Sequence, residues 1–338
     1  ASPSLLIMMK TPKVVLKSSI LYLQIYCGGL IFNVIYNMAT GILNAAGNSK
    51  KPLVYLAIAS FTNIILDLLF IKIFNLGVMG AAIATDISQA ISCILAIGYL
   101  LKVKSDYKLY IKDLKINKET AVKIIKIGLP TAIQNMVISF SNVLVQSSVN
   151  AYGATAMAGY AAYLKIDGFN ILPVLSISMA VTTFTGQNVG ANRLDRVKKG
   201  MYSSLIMVLV YTVFIGAVLL VFSHQVLGLF THSAQVIMYG QLVMKYFCPY
   251  YFLLGILNVL AGTVRGAGKG IPPMIILLFS MCIFRILWIK IALPFYSSID
   301  GVFILYPISW LVGAILMIFY TKFGKWLPHK QMEKKENI

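Results

Sequence analysis

Apolar residues along this chain gather into nine runs, each at least about 20 residues long, the length a helix needs to cross the hydrocarbon core of a bilayer. The runs cover 17–43, 53–74, 78–101, 127–149, 156–184, 201–222, 238–264, 272–294 and 301–321. None alternates with the period of two that marks a barrel strand. A bilayer offers no partner to unpaired backbone groups, so the pattern predicts an all-α, polytopic membrane protein with nine helices. Pro173, Pro249 and Pro307 fall inside runs and are expected to kink their helices. The longest polar stretch, 102–126, is Lys-rich and reads as a connector between two halves, in part as an amphipathic surface helix.

Charge orients the pattern. The basic residues fall mainly at 50–51, 102–126, 193–199 and 265–269 and in the tail after 321, while the turns near 75, 153, 230 and 298 are almost free of them. Lys and Arg resist translocation, so the basic side is cytoplasmic. Lys10, Lys13 and Lys17 fall on the other side of this scheme. The same rule disposes of a nucleic-acid reading of the +19 net charge, because the cations lie between apolar runs and form no reading module. An apolar share of 59% against 12% charged residues excludes a water-soluble fold, for which about 45–50% and about 25% are usual. Cys27, Cys93, Cys248 and Cys282 sit in apolar runs without CxxC spacing and read as buried packing residues. The chain begins at Ala1 without a signal peptide.

Residues 27–99 align with 248–320 at a constant shift of 221 without gaps. Cys27 meets Cys248, Asn37 meets Asn258, Gly41 meets Gly262, Ala46-Gly47 meets Ala267-Gly268, and Pro52 meets Pro273. Matches of Gly, Pro and Asn at turns carry more weight than matches of Leu and Ile. Six runs separate equivalent points, so both copies point the same way, as in a parallel repeat about an axis along the membrane normal. The second copy's half holds six runs and the first only three. Equal halves would place three further helices before Ala1, and the chain reads as an amino-terminally truncated twelve-helix protein. Residues 1–104 are then the remainder of a first lobe (helices 4–6), 105–125 a basic cytoplasmic linker, and 126–338 a second lobe (helices 7–12) with a cytoplasmic tail.

Several stretches then resemble one family. Gly41-Ile-Leu-Asn-Ala-Ala-Gly-Asn-Ser-Lys-Lys-Pro52, Asn63-Ile-Ile-Leu-Asp67 and Gly77-Val-Met-Gly-Ala-Ala-Ile-Ala-Thr85 are similar to the fourth to sixth helices of the multidrug and toxic compound extrusion (MATE) transporters. Gly128-Leu-Pro130 opening a helix, Gly186-Gln-Asn-Val-Gly-Ala191 closing the next, and Arg265-Gly-Ala-Gly268 resemble the second half of the same family. The resemblance covers nearly the whole chain. It implies two six-helix lobes around a central cleft, and export of cationic or amphipathic compounds in exchange for sodium ions or protons. It also implies a multi-pass protein of a bacterial inner membrane, working as a monomer without a cofactor, with the bilayer and small organic substrates as partners.

Candidate chemistry follows from polar residues inside runs. Asp67 costs roughly 2.5–3.5 kcal/mol at the centre of a span unless it faces a polar interior. Asn63, one turn earlier, shares its face. The resemblance places Asn63, Asp67 and Thr85 in a cation site of the first lobe, which the family completes with an acidic residue on its first helix. The alternative is that Asp67 only ties helices together. Lys165 and Asp167 are too close in sequence to pair, and each needs a partner or a wet cleft, for function or as polar core. Gln134, Asn142 and Gln146 recur at helical spacing and are expected to line the cleft; interhelical hydrogen bonding is the alternative. Asn37 and Asn258 read as such hydrogen-bonding residues, Asp86 as a helix contact or part of the first-lobe network, and Lys290 as snorkelling to the interface; Arg285 has no evident role. The carboxylates that sodium-coupled members carry on the seventh and tenth helices align here with Ile138 and Leu254, so that second-lobe site is expected to be absent.

Gly262-Thr-Val-Arg-Gly-Ala-Gly268-Lys269 is one residue too long for a P-loop, and Gly270 stands where Ser or Thr should hold magnesium. No Ser/His/Asp set or paired acid–base group points to an enzyme. A lipid-linked oligosaccharide flippase of the same superfamily fold would need more cleft cations for pyrophosphate than Lys165, Arg285 and Arg265. The expected function is therefore a cation-coupled antiporter working by alternating access.

Overall fold

The computed structural model describes residues 13–327 apart from Ser297, so Lys10, His329 and the last tail lysines lie outside the described residues. Among the described residues, nine helices are long and apolar enough to cross a membrane: α1 Leu16–Ala45, α2 Lys50–Ile73, α3 Gly77–Lys102, α4 Lys118–Asn150, α5 Ala154–Gly190, α6 Leu194–Val221, α7 Ala234–Gly266, α8 Ile271–Phe295 and α9 Asp300–Phe323. All nine expected runs are found, and no strand occurs among the described residues.

Most boundaries fall within a few residues of the expected ones, but α4 begins nine residues early. Asn117 accepts a hydrogen bond from the Thr120 backbone N–H through its side chain (3.0 Å), an N-cap that starts the helix. Glu119 and Lys123 support the first turns as an i,i+4 pair at 2.6 Å. Lys118–Lys126 is therefore the solvated start of a membrane helix, and Pro130 lies inside α4 rather than at its opening. Of the three prolines expected to kink, Pro173 lies in unbroken α-helix. Pro249 sits in a 3₁₀ turn, Cys248–Tyr250, that divides α7, and Pro307 falls in the first turn after a break at Ile304. A proline at a first turn lacks only an N–H that would have no partner there.

The chain divides into two compact units, one ending at Lys115 and the other beginning at Ile116. In the first, Tyr36, Ala39 and Leu43 of α1 pack with Tyr55 of α2 and Cys93, Ala96 and Leu100 of α3. Tyr36 donates to the Pro52 carbonyl (2.8 Å), and Asn48 to the Tyr99 hydroxyl (3.0 Å). The Asp86 carboxylate lies directly against Gly29, where a Cβ would come 2.0 Å from Asp86 Oδ1, so it is a helix contact between α3 and α1. Cys27 is exposed, against the expectation that all four cysteines pack inside, because it stands on the outer face of α1.

In the second unit the core is aromatic, with Tyr160 and Tyr163 of α5, Phe247 and Tyr251 of α7, and Phe303, Tyr306 and Trp310 of α9. Phe247 is its hub, 4.4 Å from the Tyr306 ring centre and 5.2 Å from that of Tyr163. Large apolar side chains on the outer face, such as Ile206, Val210 and Phe214 along α6, stay exposed, as a lipid-facing helix requires.

The repeat is visible in the element ends. Ala45 and Gly266, Lys50 and Ile271, and Lys102 and Phe323 each differ by 221 residues. The turns after α1 and α7 match in detail: Gly47 and Gly268 have φ of 81° and 82°. Behind them Asn48 N–H bonds Leu43 O (2.8 Å), and Lys269 N–H bonds Val264 O (3.2 Å). Both are helix ends closed by a left-handed glycine, which also confirms that residues 262–269 form a helix end and not a phosphate loop.

In the second unit a close seam joins α5 to α7. Ser178 Oγ donates to the Asn258 carbonyl (2.8 Å) and Thr182 Oγ1 to the Gly262 carbonyl (3.0 Å). A Cβ on Gly262 would lie 2.7 Å from Ser178 O, and one on Gly266 would lie 2.4 Å from Thr182 O. Small residues four apart let two backbones approach where lipid supplies no hydrophobic drive for helix pairing. Gly262→Leu should therefore lower stability by about 1–3 kcal/mol through overpacking. Gly128→Ala, where nothing lies within 4 Å, should not. Thermal unfolding of the purified protein in detergent measures both; equal midpoints would show that the seam is loose.

Candidate functional site

In the first unit, Asn63 and Asp67 stand one turn apart on α2, yet Asn63 Nδ2 and Asp67 Oδ1 are each buried without a hydrogen-bond partner. Thr40 Oγ1 on α1 is a third such atom in this unit, one that sequence reasoning did not single out. Thr85 Oγ1 is occupied by its own helix, donating to the Ala81 carbonyl at 2.9 Å. No recorded hydrogen bond links Asn63, Asp67 and Thr85. Buried, unpartnered polar atoms are costly where water is excluded. Of the three orphaned atoms the oxygens, Asp67 Oδ1 and Thr40 Oγ1, are ones that a small hard cation or a proton would satisfy, whereas Asn63 Nδ2 is a donor that lacks an acceptor.

In the second unit, the polar residues of α4 divide between two faces. Gln134 is buried with Pro130, Ser141, Val145 and Val149, and its Oε1 has no partner. Ser141 bonds the Met281 carbonyl (2.6 Å) and ties α4 to α8. Asn142 is exposed and receives a hydrogen bond from Arg285, while Gln146 bonds Asn150 along its own helix (2.9 Å). Asn37 and Asn258 likewise bond carbonyls of their own helices, Asn33 and Leu254. Lys165 is exposed, its ammonium 5.6 Å from the Phe230 ring centre. Lys290 is exposed.

Asp167 is the centre of the strongest polar cluster. Tyr251 donates to its Oδ1 at 2.8 Å and Tyr163 to the same oxygen at 3.0 Å, and the two phenol oxygens lie 2.5 Å apart. Tyr163 stands four residues before Asp167 and shares its helix face, a relation legible in the sequence. Tyr251 comes from α7 and was not.

Arg285, left without a role by the sequence, is 2% exposed on α8. Its Nε donates to Ser309 Oγ (3.1 Å) and its Nη1 to Asn142 Oδ1 (2.9 Å). The guanidinium lies 4.3 Å from the centre of the Tyr306 ring, whose hydroxyl is 2.7 Å from that of Tyr160. Every group holding Arg285 is neutral. The recorded ion pairs among the described residues, Lys123–Glu119 and Arg193–Asp195, are both at exposed positions.

No cluster of three or more metal-ligating side chains occurs among the described residues. A cavity of about 480 Å³, lined in part by Phe184, Arg196, Lys199 and Ser203, opens at the basic-loop end of α5 and α6 and holds none of the candidate residues. The chemistry lies in side-chain clusters inside the helix packing.

Among the described residues, nine apolar helices with buried polar groups define a multi-pass helical membrane protein. The sequence profile of the MatE family matches residues 1–69 and 130–289, and the chain belongs to that family, whose members are transporters and not enzymes. It is similar to the probable multidrug resistance protein YpnP of Bacillus subtilis, 29% identical over 99% of this chain and 74% of that protein. It is similar also to the probable multidrug resistance protein NorM of Thermotoga maritima, at 27% over 90% of this chain and 67% of that protein. An outward-facing multidrug resistance MATE transporter of the MOP superfamily shares the fold, with a TM-score of 0.89 at 22% identity over 95% of this chain and 72% of that one. So does a MOP superfamily transporter from Pyrococcus furiosus, with a TM-score of 0.87 at 23% identity over the same shares. These relatives and the nine spans make this a multi-pass cell-membrane protein.

Arg285 supplies a test of what the cluster costs. Arg285→Met keeps most of the volume, removes a buried charge that has no carboxylate partner, and leaves Ser309 still bonded to the Tyr306 carbonyl. It should be at least as stable as the parent, because apolar replacement of buried charges is often neutral or stabilising. Arg285→Ala should lose about 2–5 kcal/mol to the cavity. Denaturation of the two variants in detergent separates the effects; equal losses would show that the hydrogen bonds, and not the packing, carry the stability.

Proposed function

We propose that this chain is a cation-coupled antiporter that exports small organic compounds, cationic or amphipathic, by alternating access. The coupling cation binds at Asn63, Asp67 and Thr85, and substrate meets Gln134, Asn142, Gln146, Lys165 and Asp167. Residues 1–104 and 126–338 then act as the two lobes, joined by 105–125, whose last residues from Lys118 already belong to α4. The observation that carries the reading is Asp67, an intramembrane carboxylate with a buried, unpartnered oxygen one turn from Asn63, whose amide nitrogen also lacks a partner. Ionisable residues within spans mark ion and substrate paths by default. The names of the relatives, probable multidrug resistance proteins and a multidrug export protein of Staphylococcus aureus, support the substrate class. The coupling ion is sodium or a proton; either suits a carboxylate with an amide beside it. A flippase of lipid-linked oligosaccharides gains no support, since Arg285 is already engaged by Asn142, Ser309 and Tyr306.

Coupling requires the cation to bind one conformation better than the other. Asp67→Asn cannot take up and release a proton and binds sodium more weakly. In the intact protein it should abolish efflux of a cationic dye driven by an imposed sodium or proton gradient. Membrane insertion should survive, because the amide costs less in lipid than the carboxylate. Dye efflux from vesicles, matched for expression, is the measurement. Unchanged efflux would make Asp67 a structural residue.

A further inference from the structure

We infer that Asp167, Tyr163 and Tyr251 form a proton-binding site of the second unit, in which one proton on Asp167 closes a ring of three hydrogen bonds. As a coupling site it rests on the antiport reading; as a protonation site it stands without it.

The argument is a count of hydrogens. Three oxygens, Asp167 Oδ1 and the two phenol oxygens, lie 2.8, 3.0 and 2.5 Å apart. Three contacts of that length need three protons, because two oxygens with no hydrogen between them repel at hydrogen-bond distance. Each tyrosine carries one O–H. An ionised Asp167 adds none, and two phenol protons leave one of the three contacts without a hydrogen. A proton on Oδ1 supplies the third. Asp167 then donates to one phenol, that phenol to the other, and the second back to Oδ1. The step is a simple protonation, carboxylate plus a proton from water giving carboxylic acid, with no bond broken and no co-reactant. A sodium ion would not produce this geometry, since it would draw oxygens around itself and hold the phenol protons outward.

The neighbours decide whether the proton can leave. From α7 come Tyr251 and Cys248, from α6 Tyr211 bonded at Asn170, from α9 Tyr306, and from α8 Arg285. On α5 itself are Tyr160 and Tyr163, with Lys165 turned outward, and α4 contributes the neutral Asn142. Arg285 is held apart from this cluster by Ser309, Asn142 and the Tyr306 ring. It makes no ion pair with Asp167; Tyr306, on which it stacks, bonds Tyr160 and not the two tyrosines of the ring. The ring closes only on the acid, while the carboxylate accepts the two phenols, so a change in the spacing of α5 and α7 that breaks a phenol contact shifts the proton.

Infrared difference spectroscopy of the intact protein in lipid nanodiscs, titrated across neutral pH, tests the site directly. A carboxylic-acid carbonyl band should persist at neutral pH, where ordinary aspartates show only carboxylate bands, and it should be lost in Asp167→Asn. Tyr251→Phe opens the ring and leaves one phenol donor, so the pH at which the band is lost should shift; this variant keeps the carboxyl and stands in should Asp167→Asn fail to fold. Asp67→Asn should leave the band in place, which separates this site from the first-unit reading. A parent spectrum without the band at neutral pH, or one unchanged by both second-unit variants, would overturn the proposal.

Discussion

Inside a bilayer no water is present to satisfy a polar group, and most of this structure follows from that constraint. It forces the backbone into helices that pair every N–H internally. It also removes the hydrophobic drive between helices, because lipid tails are as apolar as Leu. What remains is close approach and hydrogen bonding. The seam between α5 and α7 uses both, with Gly262 and Gly266 admitting the backbone of α5 and Ser178 and Thr182 bonding across it. Further along the same helix pair Tyr251 of α7 bonds Asp167 of α5.

The same constraint explains how much of the fold was legible beforehand. A span must be long and apolar, and hydropathy reads that without knowing its neighbours. The nine runs and the repeat at 221 residues therefore match the element ends, down to the left-handed glycines Gly47 and Gly268. The miss at α4 came where lipid no longer imposes the rule. Lys118–Lys126 is solvated, so polarity hid a helix that its cap at Asn117 and the Glu119–Lys123 pair announce. Cys27 was misjudged for a related reason: an apolar run shows that a residue is out of water, not whether it faces lipid or protein.

Site residues were legible one helix at a time. Asp67 with Asn63, and Asp167 with Tyr163, are relations of four residues along one face, and spacing reveals them. Whether Thr85 turns toward Asp67 or bonds Ala81 depends on packing between helices, which spacing does not encode. Arg285 shows the limit most plainly. Its partners Asn142, Ser309 and Tyr306 come from α4 and α9, far along the chain, so the sequence displayed a cation inside a span and nothing to hold it.

The second unit thus contains a carboxyl and a guanidinium inside its helix packing, each held by neutral partners and not by the other. A direct ion pair would have been the simpler way to keep two charges out of water. It would also have been a fixed tie, since separating a buried pair leaves each charge uncompensated and costs several kcal/mol. Neutral hydroxyls, an amide and a ring can be exchanged one at a time for others of like strength. A polar core that must rearrange without stranding a charge is better built from such partners. The price is paid in local stability at Arg285, and the residues around it, Tyr160, Tyr306 and Asn142, are where a rearrangement of α4, α5 and α9 would register first.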